Sequence, residues 1–171
     1  MSAAAVAAPT LTQVMAQALA IERAAVERYS ALADVMEVHN NRPVTELFRK
    51  LAAIETQHVQ QILTHMGWKS VATAPTVWGL LDGPESVPEE HVHYLMWPWH
   101  ALQLALSAEE RAEAFFARLA ETAADEAARR AALELRDEER VHVALVKAWL
   151  ERTPEPGTDW ADDPDPPRYT D

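Results

Sequence analysis

No cysteine occurs anywhere in the 171 residues. A disulfide framework, a thiolate zinc site, a cysteine-bound iron–sulfur centre and any other cysteine-ligated iron domain are therefore excluded. Glycine is almost as scarce, at four residues, and alternating runs of Val, Ile and Thr are missing, which argues against sheet. Basic residues are outnumbered, 15 Lys and Arg against 27 Asp and Glu, for a net charge of −12. Nucleic acid is not an expected partner, because neutralising phosphates takes clustered Lys and Arg. No apolar run reaches the roughly 18 residues a membrane helix needs, so no membrane contact is expected. Residues 1–11 lack the basic and apolar regions of a secretory signal, which leaves a cytoplasmic location as the expectation.

What the chain does have is apolar residues, 49% of the total and rich in Ala, Leu and Val, recurring at spacings of three and four. Four amphipathic helices are predicted, over residues 12–38, 44–66, 98–122 and 125–150. The first carries Met15, Ala18, Leu19, Ala25, Tyr29, Leu32, Ala33 and Met36 on one face, and Pro43 is read as ending it by pushing Arg42 out of the helical region. Gly67 stops the second, and Pro98 suits the first turn of the third. Residues 67–97, with Pro75, Gly79, Gly83, Pro84 and Pro88, form a long connection in which a short helix over 77–81 can fit. A connection of that reach lets the third helix start at the same end of the bundle as the second. The expected organisation is a flexible start over 1–11, one helical domain over 12–152, and an acidic, Pro-rich tail over 153–171 that is extended or disordered.

The two halves of the domain resemble each other. Setting Glu22 on Glu109 (an offset of 109 − 22 = 87) pairs Ala25 with Ala112, Tyr29 with Phe116 and Ala33 with Ala120. In the second helix of each half, an offset of 139 − 55 = 84 pairs Leu51 with Leu135, Glu55 with Glu139, His58 with His142 and Val59 with Val143. Duplication of a helical hairpin accounts for this.

Within that repeat lies Glu-x-x-His, as Glu55-Thr56-Gln57-His58 and Glu139-Arg140-Val141-His142. Positions three apart share a helix face, so a carboxylate and an imidazole can reach one ion together. A third copy, Glu90-His91-Val92-His93, falls in the connection, has no partner in the other half and is set aside. Glu22, Glu55, Glu109 and Glu139 all sit in phase with the apolar stripe, and four buried carboxylates without counter-ions would be prohibitively unfavourable. Two metal ions resolve this. Four carboxylates and two imidazoles suit iron or manganese better than zinc, which prefers closed sites rich in N and S, or calcium, which prefers all-oxygen cages. Bridging carboxylates would leave positions open for oxygen or peroxide.

Glu22-Arg23-Ala24-Ala25 with Tyr29, then Glu55-x-x-His58, Glu109 with Ala112 and Phe116, and Glu139-x-x-His142 resemble the di-iron domain of rubrerythrins and related ferritin-like proteins. The resemblance implies an all-α, ferritin-like antiparallel four-helix bundle with one long crossover between helices 2 and 3. It implies two Fe ions (or Mn), with Glu22 and Glu109 as terminal ligands, Glu55 and Glu139 bridging, and His58 and His142 each capping one metal. Tyr29 is either a group behind the ligands or a plain core aromatic. The implied activity is an oxidoreductase of the oxidase or peroxidase type, acting on oxygen or peroxide, and a homodimer is the family expectation. Two departures bear on this. Peroxide-reducing rubrerythrins carry a further Glu where Ala112 stands, and Glu113 beside it is read as solvated. The missing cysteine-bound iron domain makes a separate electron-donor protein necessary. An iron-binding or storage-handling protein and a di-iron hydroxylase of an organic substrate remain as alternatives. His65 is expected at the bundle end, and His91, His93 and His100 with Trp97 and Trp99 are read as a packed crossover; Trp160 and Tyr169 mark the tail.

Overall fold

The computed structural model describes residues 8–74 and 92–164. The possible helix over 77–81, Glu90 and His91 of the third motif copy, and Tyr169 lie outside them. Four long helices carry the fold: α1 (Leu11–Val38), α2 (Arg42–Met66), α3 (Pro98–Thr122) and α4 (Glu126–Leu150). Among the described residues there is no strand, and no helix is long and apolar enough to cross a membrane.

Local chemistry sets the helix ends. Thr10 and Gln13 cap α1 reciprocally: the Gln13 amide donates to Thr10 Oγ1 at 3.4 Å, and the Thr10 amide donates to Gln13 Oε1 at 2.9 Å. Asp125 caps α4 by accepting the Ala128 amide at 2.8 Å. Asn40 turns the chain between α1 and α2 at φ 57°, a left-handed conformation that Asn tolerates, and Gly67 ends α2 at φ 65°. Pro43 does not delay α2. The helix begins at Arg42 with Pro43 inside its first turn, where a missing N–H is no loss because those amides have no intrahelical partner.

Two contacts fix the helix directions. Asn41 Nδ2 donates to the carbonyls of Tyr94 (3.3 Å) and Met96 (2.7 Å), so α2 and α3 start at the same end. The Ala124 amide donates to the Pro9 carbonyl at 2.9 Å, which puts the start of α1 beside the turn into α4. Hence α1 and α4 run one way and α2 and α3 the other, the arrangement of a ferritin-like bundle with its long crossover between α2 and α3. Each hairpin packs along its own length, and α1 also meets α4 while α2 meets α3.

The core is in two pieces. One, around Val14, Leu19, Ile62, Phe115, Phe116 and Leu135, fills the end where α1 starts. The other, around Tyr29, Met36, Phe48, Leu51, Leu102 and Val146, fills the opposite end. Burial of each large side chain contributes about 1.5–3 kcal/mol, so the apolar ends clamp whatever lies between them.

The tail differs from its expected extended or disordered state. Trp160 packs its ring on those of His100 (centroids 3.8 Å apart) and His93 (5.3 Å), and the Tyr94 hydroxyl bonds to Asp163. Burying an indole face against imidazoles holds the chain to residue 164 against the crossover.

Candidate metal centre

Between the two apolar cores lies a layer of charge. Glu22, Glu55, Glu109 and Glu139 come one from each helix, and each is 3–5% exposed. All four project inward because their positions continue the apolar stripes of α1 to α4. His58 and His142, one turn beyond Glu55 and Glu139, complete the layer. All six residues singled out in the sequence are therefore brought together.

The halves mirror each other in distance. His58 Nδ1 lies 3.7 Å from Glu22 Oε2 and 3.4 Å from Glu55 Oε2. His142 Nδ1 lies 3.3 Å from Glu109 Oε2 and 3.5 Å from Glu139 Oε2. The two imidazoles stack at 4.4 Å with 6° between their planes. Ligand atoms of Glu55, His58 and His142 all fall within 4.8 Å of one another, as do those of Glu109, Glu139 and His142. Tyr29, buried in α1, donates its hydroxyl to Glu109 Oε1 at 3.1 Å, so it orients one carboxylate from the other half.

The layer's electrostatics are those of ligands holding protons. Burial drives the Glu22 carboxyl well above its usual range, and neighbouring Glu55 and Glu139 add to the rise. Burial pushes Glu55 up as well, but its hydrogen bonds with His58 and Glu22 prevail and hold it below its ordinary value. Glu139 is raised to about 7 by burial and by Glu109. Burial disfavours charge on His58 and His142, yet the carboxylates beside each overcome it and lift both to about 10. Metal ions would displace these protons, making binding pH-dependent. The donor set fits such ions: hard and borderline O and N donors, and a Glu from two helices combined with Glu-x-x-His from the other two.

Other expected participants lie apart. Glu113 is taken up by Arg140, 2.6 Å away, and does not reach the layer. His65 is not merely at the bundle end: with Gln61, Glu134 and Glu138 it lines a cavity of about 150 Å³ that reaches His58. His93 and His100 belong to the packing of the crossover on Trp160.

Two residues escaped the sequence reading. Arg28 and Arg111 line a second cavity, of about 20 Å³, whose walls include Glu22, Glu55, Glu109, Glu139, Ala25 and Ala112. A signal for them exists in the repeat: the offset of 87 sets Arg28 on Phe115 and Arg111 on Ala24, so each arginine breaks the internal match.

Residues 13–150 match the rubrerythrin family model. The chain is also similar to a crystal structure of an uncharacterized conserved protein from Magnetospirillum magnetotacticum MS-1, at 34% identity. That likeness covers 87% of this chain and 99% of the other, with a TM-score of 0.68. Among curated proteins, no match was found.

Proposed function

The chain belongs to the rubrerythrin family, and we propose that it is a di-iron oxidoreductase that reduces oxygen or peroxide with electrons from a separate donor protein. The carrying observation is the buried layer of four carboxylates and two imidazoles, repeated in matched halves. Glu22 and Glu109 would be terminal ligands, Glu55 and Glu139 would bridge, and His58 and His142 would each cap one ion. When bound, a ferrous pair supplies two electrons per cycle, enough to reduce one peroxide to two waters.

The protein's own groups do the rest. Tyr29 holds Glu109 in one orientation through its hydroxyl. In the metal-free layer Glu22, its carboxyl raised by burial, holds a proton and shares it with Glu55, and metal binding would release it. The apolar cores pack on either side of the layer and confine water to the cavity that reaches His58. These 171 residues hold no cysteine for a thiolate-bound iron relay, which supports a separate donor.

The cavity beside Glu22 and Glu109 speaks for a small oxidant over an organic substrate. Its volume of about 20 Å³ accommodates roughly one water, and a hydroxylase substrate needs far more. Anaerobic Fe(II) loading followed by metal analysis and exposure to oxygen or peroxide tests the proposal. Two irons per chain with rapid oxidation are expected, and Glu55→Ala or Glu139→Ala should abolish both. Uptake well above two irons, or no turnover with any donor, would favour an iron-storing protein; wild-type protein that binds no iron would end the reading.

A further inference from the structure

Three donor nitrogens beside the carboxylate layer have no partner among the described residues: Nε of Arg28, and Nε and Nη2 of Arg111. All three are buried. Leaving a buried donor unpaired costs about 1–3 kcal/mol, and more when the group is charged. Such donors call for an explanation, and a bound water or ion is one.

Both side chains line the 20 Å³ cavity, and both are held in place from outside it. Arg111 donates through Nη1 to Ser107 Oγ at 2.6 Å, one turn back on α3. The Arg28 guanidinium carbon lies 5.5 Å from the centre of the Tyr29 ring. Ala25 and Ala112, mates in the repeat, leave the space open between them. Glu22, Glu55, Glu109 and Glu139 line the same cavity.

Charge decides what can occupy this space. Without metal, the carboxylates share the cavity with the arginines and an added anion is repelled. With two divalent ions bound, the four carboxylates are balanced, and Arg28 and Arg111 leave the site cationic. Oxidation to the ferric state raises that excess.

We propose that Arg28 and Arg111 form a seat for one end of a small inorganic anion, of the class of hydroperoxide, that would bind at the metal pair and place a terminal atom in this cavity beside their guanidinium groups. This rests on the di-iron reading above. The seat would bind anions only in the loaded protein, and in preference to neutral ligands of equal size. Guanidinium suits the task because it stays charged and presents several donors in one plane.

Azide is the probe. Titrated into the ferric, iron-loaded full chain, it is followed through its charge-transfer absorption. Arg28→Met and Arg111→Met should each weaken azide about tenfold, the scale of one lost hydrogen bond to a charged group. The double variant should lose more than either, and Arg111→Lys should recover much of the Arg111→Met loss. Binding of nitric oxide, a neutral ligand, to the ferrous form should change little in all four. Iron is counted on the same samples. Two irons per chain with azide affinity unchanged in the double variant would overturn the seat alone. Equal losses for azide and nitric oxide would overturn it too, since that is collapse of the cavity and not loss of an anion site. Failure of the wild-type chain to bind iron would overturn the di-iron reading and the seat with it.

Discussion

The two hairpins keep three matching inward polar residues each and differ at several of the positions around them. Around His58 the bundle opens into the 150 Å³ cavity lined by Met15, Gln61, His65, Glu134 and Glu138. The repeat carries those positions onto Leu102, Leu145, Trp149, Lys50 and Ile54. There the polar lining becomes apolar, and the Lys50 ammonium lies 4.4 Å from the centre of the Trp149 ring. The surface cavity at Lys50 and Trp149 does not include His142 among its lining residues. Duplication has thus preserved the charged layer, while the flanking positions have diverged to give one half an opening and the other a cover. The same divergence turns Phe115 into Arg28 and Phe116 into Tyr29 at equivalent sites.

The largest expected effect tests that last pair of differences. Phe115 is fully buried in one apolar core, whereas Arg28 at the matching place has a buried Nε without a hydrogen-bond partner and the Tyr29 ring 5.5 Å from its guanidinium carbon. Phe115→Ala should destabilise by about 3–5 kcal/mol, and Arg28→Ala by about 1 kcal/mol or less. Urea unfolding of the two variants measures both, and equal losses would mean that the halves had not diverged in role.

Next comes a property on which the halves should agree. In the metal-free protein His58 and His142 both titrate near 10, above the ordinary 6.5. A folded-state pKa raised above the unfolded one contributes stability that is complete below about pH 6.5 and lost as pH climbs through 10. Glu139, raised from 4.5 to about 7, acts in the same direction, but its share is lost mainly between those two values, below this range. The melting temperature of the metal-free chain should therefore fall by roughly 5 °C between pH 6.5 and 10. His58→Gln and His142→Gln should each remove a similar share of the fall. Bound metal should reverse the trend, because ligands must lose protons to bind it. A metal-free melting temperature that stays level or rises over this range would contradict the protonated layer.

Much of this was legible in the sequence, for identifiable reasons. The helices follow from apolar residues at spacings of three and four, and the grouping of Glu22, Glu55, His58, Glu109, Glu139 and His142 follows from phase together with the repeat. Pro43 misled because a proline stops a helix only where an amide is needed, and the first turn needs none. The docking of Trp160 was invisible because its partners, His93 and His100, are about sixty residues away and the acidic, Pro-rich tail carries no periodic signal. Arg28 and Arg111 go unmarked by residue type, since a long side chain can start near the surface and bury its nitrogens among its neighbours.

A smaller effect is expected at Tyr29, which differs from its mate Phe116 by a hydroxyl. Tyr29→Phe removes the 3.1 Å bond to Glu109 and makes the halves more alike. It should cost about 1 kcal/mol in the metal-free protein. In the loaded protein, looser orientation of Glu109 should appear as a changed optical spectrum with iron stoichiometry preserved. An unaltered spectrum would reduce Tyr29 to a core aromatic.

The smallest effect belongs to the cover over the second half. Lys50 and Glu134 occupy equivalent places with opposite charge, and both are exposed. Lys50 lies over Trp149, while Glu134 has no ion pair among the described residues. A cation over an aromatic ring at an exposed site is worth about 0.5–1 kcal/mol, so Lys50→Gln should lower stability by that amount. Glu134→Gln, which breaks nothing, should stay within about 0.5 kcal/mol of wild type. The gap is small but its sign is informative: if Glu134→Gln proves the more damaging, the acidic lining contributes to the packing of the first half, and the contrast between an open half and a covered one would have to be redrawn.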